Sequence, residues 1–141
     1  MKLRNIAVTG IVMALLALPG CSWIRKVTYP PAFTYLEKSD ITSSMMRMAD
    51  SVRRIDSILI SGDIPSDKQR QRIIEDLNTI DNMAIALGAG TQQSNHLLID
   101  EHIDEFRLAV RRAKQDVENS PPRYYRVGGL IGNCTSCHLL R

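Results

Sequence analysis

The residues best suited to chemistry lie together near the end of the chain, in the stretch CTSCH that contains Cys134, Cys137 and His138. This is a dense group of thiols and imidazole for a sequence with only 3 cysteines. On a helix, residues three and four positions apart share a face, so the spacing brings the three side chains to one side. Three chemistries use such a group: a redox disulfide, a zinc site and covalent attachment of haem.

The disulfide and the zinc site each lack something in this sequence. Redox CxxC pairs stand at a helix start within a βαβ unit. Here there is no strand pattern, and the pair lies toward a helix end, where the dipole disfavours the thiolate. A structural zinc ion takes four ligands, and the cluster supplies three. His96 or His102, on another predicted helix, could be the fourth, so both alternatives stay open.

Covalent haem c uses every residue of the cluster. Cys134 and Cys137 stand one helical turn apart, so both sulfurs can bond the two vinyl groups along one edge of the porphyrin. His138 follows immediately and can place its imidazole on the iron as the proximal ligand. The pattern therefore predicts one covalently bound haem, held by two thioethers and by His138.

Residues 1–20 have the pattern of an export signal followed by a lipid-attachment site. Lys2 and Arg4 precede an uncharged apolar stretch of signal-peptide length. Leu18-Pro19-Gly20-Cys21 resembles the bacterial lipobox, although proline replaces the small or aliphatic residue usual at its position. We expect cleavage before Cys21 and lipidation of its thiol. The alternative is an ordinary signal peptide, or an uncleaved anchor, with an unrelated cysteine.

Lipidation also predicts where the protein resides. Ser22 directly after the lipidated position resembles lipoproteins that are sorted to the outer membrane. Attachment of haem c in bacteria takes place outside the cytoplasm, which agrees with export. We expect a periplasm-facing protein anchored to the outer membrane of a Gram-negative bacterium, with a tether over residues 21–33 and one domain over residues 34–141.

Charge and composition argue against several other functions. The formal charge is +3, and two of the positive residues leave with the signal segment, so the mature chain is nearly neutral. Without a basic run, nucleic acid is not an expected partner. Aromatic residues make up 5% of the sequence and strand-like alternation is missing, which favours a helical domain. Because no catalytic triad, phosphate loop or paired-carboxylate pocket appears, we do not expect an enzyme.

Four amphipathic stretches must position the cluster. The first is predicted to begin at a capping box, Thr34-Tyr35-Leu36-Glu37, and the second at Ser66 with Gln69, ending at Gly88. The third covers about residues 94–118 and the last, with the cluster, residues 123–140. The first carries one apolar stripe, made of Ile41, Met45, Met48, Val52, Ile55 and Leu59. Short connections favour antiparallel neighbours, so we predict an all-α, up-down-up-down four-helix bundle.

A four-helix bundle with CxxCH near the end of its last helix resembles the cytochrome c′ family, over about residues 34–141. The resemblance rests on motif position and helix pattern. It implies electron transfer where a methionine is the second iron ligand, and binding of NO or CO where the distal face is apolar. It also leaves open a homodimer through the first two helices. Arg141 comes three residues after His138, whereas the family commonly has a basic residue at the fourth, so Arg141 receives no role.

The residue on the other face of the iron decides between these functions. In an antiparallel bundle the last helix ends beside the start of the first, so Met45 is the expected ligand. The next alternative is an apolar cover by Ile41 or another apolar group, and Met48 as ligand comes after it. Met46 lies about 100° round the helix from Met45 and should point away. We therefore expect a monohaem cytochrome that transfers electrons between unidentified redox partners. The alternatives are a gas-binding haem protein and a haem-free helical lipoprotein with a zinc or disulfide site.

Overall fold

The computed structural model describes residues 33–88 and 93–139, so Cys21, the signal segment and most of the tether lie outside the described residues, as does Arg141. Within these ranges the chain is mostly helical, which confirms the predicted all-α class. The described residues form three long helices and two short ones: α1 Lys38–Leu59, α2 Asp67–Ala86, α3 Leu97–Glu118, α4 Tyr125–Gly128 and α5 Leu130–Leu139. Two short strands, β1 Phe33–Thr34 and β2 Gln93–Ser94, pair with each other. None of the helices described is both long and apolar enough to cross a membrane.

The beginning of α1 differs from the prediction. Thr34 lies in β1 and caps no helix, and α1 begins at Lys38 after Glu37, whose side chain makes no capping hydrogen bond. The reason lies in Asn95, just before α3. Its Oδ1 accepts the Leu36 N–H at 2.7 Å, and its Nδ2 donates to the Leu36 carbonyl at 3.0 Å. These two bonds continue the strand pairing and hold the backbone extended up to the start of α1.

The beginning of α2 is as predicted. The Ser66 Oγ accepts the Gln69 N–H at 3.4 Å, and the Gln69 Oε1 accepts the Ser66 N–H at 2.9 Å, which makes a reciprocal capping box. At the other end, Gly88 has φ 99°, a left-handed conformation that glycine adopts without steric cost. Local residues therefore determine both ends of this helix.

The expectation that the third helix starts near Ser94 was wrong, because Ser94 belongs to β2 and α3 begins at Leu97. The Ser94 N–H donates to Asp100 Oδ2 at 2.8 Å, and the Ser94 Oγ accepts the His96 N–H at 3.0 Å. These bonds satisfy backbone donors ahead of the helix and fix the turn that leads into it.

The core lies between the three long helices. α1 packs against α2, α2 against α3, and both short helices pack on α3, while α4 also contacts α1. The start of α2 lies at the end of α3, because Arg70 Nε donates to the Val117 carbonyl at 2.8 Å. The largest fully buried apolar side chains come from α2, its C-terminal end and α3: Ile73, Leu77, Ile80, Leu87, Val110 and Val117.

Ion pairs also join neighbouring long helices. Arg54 of α1 donates through Nε to Asp76 of α2 at 2.9 Å, and Arg107 of α3 donates through Nε to Asp81 of α2 at 2.8 Å. Asp76 is buried, so this carboxylate depends on Arg54 to offset its loss of water.

The predicted single last helix is two helices. α4 ends at Gly128 and α5 begins at Leu130, with Gly129 between them, a residue of low helix propensity. Val127 and Leu130, three residues apart and both 2% exposed, face the core together. In the connection that precedes α4, the Ser120–Pro121 peptide bond is cis.

The buried carboxylate of Asp116 fixes α4 to α3. It accepts hydrogen bonds from Arg123 Nη2 at 3.0 Å and Arg126 Nη1 at 2.6 Å, and the Asp116 carbonyl accepts the Arg123 N–H at 2.8 Å. Charge-assisted bonds of this kind are stronger than neutral ones. Asp116 therefore determines where the segment that leads into α5 begins.

Candidate functional site

The two predicted thioether cysteines lie on the inward face of α5. Leu130 is the buried residue of this helix, and Cys134 and Cys137 follow it at intervals of four and three, both partly buried. Residues at these intervals share one helix face. His138 is exposed and lies on the adjacent edge. The helix thus turns both thiols toward the protein and leaves the imidazole beside them accessible.

Both thiols are free, and no disulfide joins them. Burial raises the pKa of the Cys134 thiol above its ordinary value, and the neighbouring Cys137 acts in the same direction. Cys134 is therefore held as the neutral thiol at neutral pH rather than as the thiolate that redox CxxC pairs use. Two reduced thiols one turn apart can each form a thioether with the edge of a flat ligand, so the residues fit haem c.

One edge of α5 faces α1. A space of about 10 Å³, large enough for no more than one water, lies between the two helices. It is lined by the C-terminal half of α1 and by the junction of α4 with α5: Val52, Ile55, Asp56, Leu59, Val127, Gly128, Leu130 and Ile131. His138 comes seven residues after Ile131, two turns along the same edge of α5. The imidazole therefore lies on the edge of α5 that faces α1 at its start.

The apolar stripe of α1 separates into two parts. Met48 and Ile55 belong to the buried core, at 5% and 3% exposure. A parallel row, which we call the Met45 strip, is partly buried at the edge of that core and consists of Ile41, Met45, Val52 and Leu59. Met46 is 64% exposed, which confirms that it points away from this row. Met45 is thus the α1 methionine that combines an apolar surrounding with an accessible side chain.

The residues of the zinc alternative do not gather around the cluster in the structure. Within residues 33–88 and 93–139, no three His, Cys, Asp or Glu side chains are placed to hold a metal ion. His96 is the residue before α3, and its Nδ1 is buried with no hydrogen-bond partner in the described part of the chain. His102 is partly buried within α3.

An open groove on the α3 side of α5 was not predicted from the sequence. Its volume is about 640 Å³, and its polar and aromatic lining comes from Arg112, Tyr124, Tyr125, Arg126 and Asn133. The Tyr124 hydroxyl is buried without a hydrogen-bond partner among the described residues, and burial raises the pKa of this phenol. The run Arg123-Tyr124-Tyr125-Arg126 was the available signal, since aromatic and arginine residues together are frequent in binding surfaces. We call this feature the Arg112 groove.

Comparison of the chain with protein-family models, with curated proteins and with solved structures gave no match. The cysteine–histidine cluster and the helices around it are therefore the features that bear on function.

Proposed function

We propose that this protein is a lipid-anchored, periplasm-facing c-type cytochrome that transfers electrons, with one haem bound through Cys134, Cys137 and His138. The observation that carries the proposal is the pair of free, partly buried thiols one turn apart on the inward face of α5, next to an accessible imidazole. When bound, the haem would supply reversible one-electron chemistry at iron. The chain contributes two covalent attachment points, one axial ligand and the apolar surface of α1.

The proposed architecture is an up-down-up-down bundle of the cytochrome c′ type, in which α4 and α5 together are the fourth helix. The bonds between Asn95 and Leu36 hold the starts of α1 and α3 at one end of the domain. The bond from Arg70 to Val117 holds the start of α2 at the end of α3. α5 follows α3 after a short connection and packs on it, so in this arrangement it runs back toward the starts of α1 and α3.

In this proposal Met45 would be the second residue that holds the haem iron. Ile131 of α5 and Val52 of α1 line the same small space. His138 lies seven residues after Ile131 on α5, and Met45 lies seven residues before Val52 on α1. Each step is two helical turns, or about 10 Å. In antiparallel helices these two steps lead toward the same end. His138 and Met45 therefore reach the same level on edges that face each other.

Burial favours Met45 over Met48 as this ligand. Met48 lies seven residues before Ile55, and Ile55 also lines the small space between α1 and α5. The Met48 side chain, however, is enclosed in the core at 5% exposure. Met45 is only partly buried and belongs to the row that includes Val52. A methionine ligand completes the coordination of iron and raises the reduction potential, which suits electron transfer rather than gas binding.

The first experiment tests for the haem. The full chain is produced in a host that attaches haem c, and the denatured protein is assayed as its pyridine haemochrome. We expect one haem that resists extraction by acidified acetone, and loss of that haem from the Cys134→Ser, Cys137→Ser double variant. A wild-type protein that folds but carries no covalent haem would refute the proposal and leave the haem-free alternative.

The second experiment tests the axial ligand by absorption spectra of the reduced protein with and without CO. We expect a low-spin spectrum that CO does not change, and a Met45→Ala variant that becomes high-spin and binds CO. Met46→Ala is the matched control, since this exposed neighbour should leave the spectrum unchanged. A Met45→Ala protein that stays low-spin would remove Met45 from the ligand role. A high-spin wild type that binds CO would support the gas-binding alternative.

The anchor is tested by fractionation of cells that produce the protein. We expect the wild type in the outer-membrane fraction, and a Cys21→Ser variant either retained with its signal segment in the inner membrane or released as soluble protein. Wild-type protein found wholly in the soluble periplasm would contradict lipidation.

A further inference from the structure

The Arg112 groove is an open surface feature with the chemistry of an anion site. Its volume is about 640 Å³. Two arginines, Arg112 and Arg126, line it, and no acidic side chain does. Two guanidinium groups in one concave space, with no carboxylate in its lining, attract an anion.

The two arginines are prepared for a ligand in different ways. Arg126 is fixed by one nitrogen, since its Nη1 donates to Asp116 Oδ2 at 2.6 Å and the rest of the guanidinium stays available. Arg112 is exposed on α3. The Asp116 carboxylate that holds Arg126 also accepts a hydrogen bond from Arg123. The groove therefore has one guanidinium oriented by Asp116 and a second, exposed guanidinium.

The groove also has an aromatic wall. Tyr125 is 93% exposed although its ring is large and largely apolar, and it stands between Tyr124 and Arg126 in the lining. A planar guanidinium binds a carboxylate through two parallel hydrogen bonds, and an exposed ring stacks on a second ring. We propose that the Arg112 groove binds an aromatic carboxylate, with the carboxylate on Arg112 and Arg126 and the ring against Tyr125.

This site lies away from His138 but borders the thiol face of α5. Asn133, which lines the groove, and His138 are five residues apart and therefore about 140° apart around α5. Leu130 and Asn133 both line the groove, and Cys134 and Cys137 follow them at intervals of four on the same face. The proposed contacts are made by Arg112, Arg126 and Tyr125, none of which is proposed to hold the haem, so the inference goes beyond the proposed cytochrome function.

The test is calorimetric titration of the full-length protein, as purified, with benzoate and with acetate at low ionic strength, because salt screens exposed arginines. We expect saturable binding of benzoate at one site, about fivefold to tenfold tighter than acetate, as one aromatic contact contributes. Arg112→Gln should weaken both anions by about fivefold or more, since it removes a charge-assisted contact. Tyr125→Ala should bring benzoate to the affinity of acetate.

Arg53→Gln is the matched control, because Arg53 is exposed on α1 and pairs only locally with Asp50. It should leave both affinities unchanged, and circular dichroism should show that every variant is folded. Absence of saturable benzoate binding, equal affinities for benzoate and acetate, or equal losses in Arg112→Gln and Arg53→Gln would each overturn the inference. A chain that carries no haem after production in a host that attaches haem c, and still binds benzoate, would refute the proposed function and leave this inference intact. A haem-loaded chain that does not bind benzoate would overturn this inference and leave the proposed function intact.

Discussion

Leu130 is the buried side chain through which α5 is attached to the core, so Leu130→Ala tests how the cysteine–histidine helix is held. The side chain is 2% exposed. Replacement of a buried leucine by alanine costs about 2–5 kcal/mol, depending on how far the site can relax. Leu130 lines both the small space beside α1 and the open Arg112 groove, so water and neighbouring side chains can reach the truncated site. We therefore expect the lower part of that range, about 2–3 kcal/mol.

The assay is urea unfolding of the full chain, produced without haem, followed by far-ultraviolet circular dichroism. A second measurement is the rate of alkylation of Cys134, which should rise when α5 loses its anchor, because the thiol then loses the burial that raises its pKa. Leu139→Ala is the matched control on the same helix. Leu139 is 76% exposed, so this change should alter the free energy of unfolding by no more than about 0.5 kcal/mol.

Equal stability of the Leu130→Ala and Leu139→Ala proteins would refute this account of α5. So would an unchanged alkylation rate in a destabilised Leu130→Ala protein, because the loss would then arise in the core of the long helices rather than at the attachment of α5.

Three further predictions concern the rest of the fold. Asp116→Ala should lower the free energy of unfolding by about 1–3 kcal/mol, a value kept low because both arginine partners are more than half exposed; a urea midpoint equal to that of Arg53→Gln would contradict it. Ser66→Ala should cost about 1 kcal/mol, since it removes the capping box of α2, and Ser66→Thr should retain most of the stability. Stability should fall as the pH rises from about 8 to about 11. The folded state raises the pKa of Cys134 and of Tyr124, so above the ordinary pKa of each group the unfolded chain loses its proton more readily and deprotonation favours unfolding. Tyr124→Phe should flatten the upper part of that pH profile, and an identical profile would exclude Tyr124 as a cause.

The boundaries of the helices show which information is local. The start of α2 was predictable, because Ser66 and Gln69 are three residues apart and satisfy each other. The start of α1 was not, because Asn95, 59 residues away, holds Leu36 in an extended conformation. The capping-box pattern at Thr34 is local, whereas the strand pairing that overrides it involves residues far away in the sequence.

The last helix shows a different limit. A continuous helical period predicted that Val127 and Ile131 face inward together. In the structure Leu130, three residues after Val127, is buried at 2% exposure, whereas Ile131 is 43% exposed. Which of these two neighbours is buried depends on packing against the other helices, which the sequence period alone does not determine.

The cofactor of the candidate site stays a prediction, made from the spacing of Cys134, Cys137 and His138 without reference to the fold. The surroundings of these residues were less predictable. The inward turn of the two thiols depends on Leu130, and the Arg112 groove depends on residues from α3 and α4 that are far apart in sequence. Pairings of this kind arise only when the helices pack.

The modest part that α5 plays in the core has an evolutionary consequence. After Leu130, no side chain through Leu139 is fully buried, and the hydroxyls of Thr135 and Ser136 bond only to carbonyls one turn earlier in the same helix. Mutations at its exposed positions should therefore leave the packing of the three long helices unchanged, so selection for foldability should act only weakly on this segment. A lineage could lose both thiols and keep a folded domain, or exchange the residues between them freely while the thiols are retained.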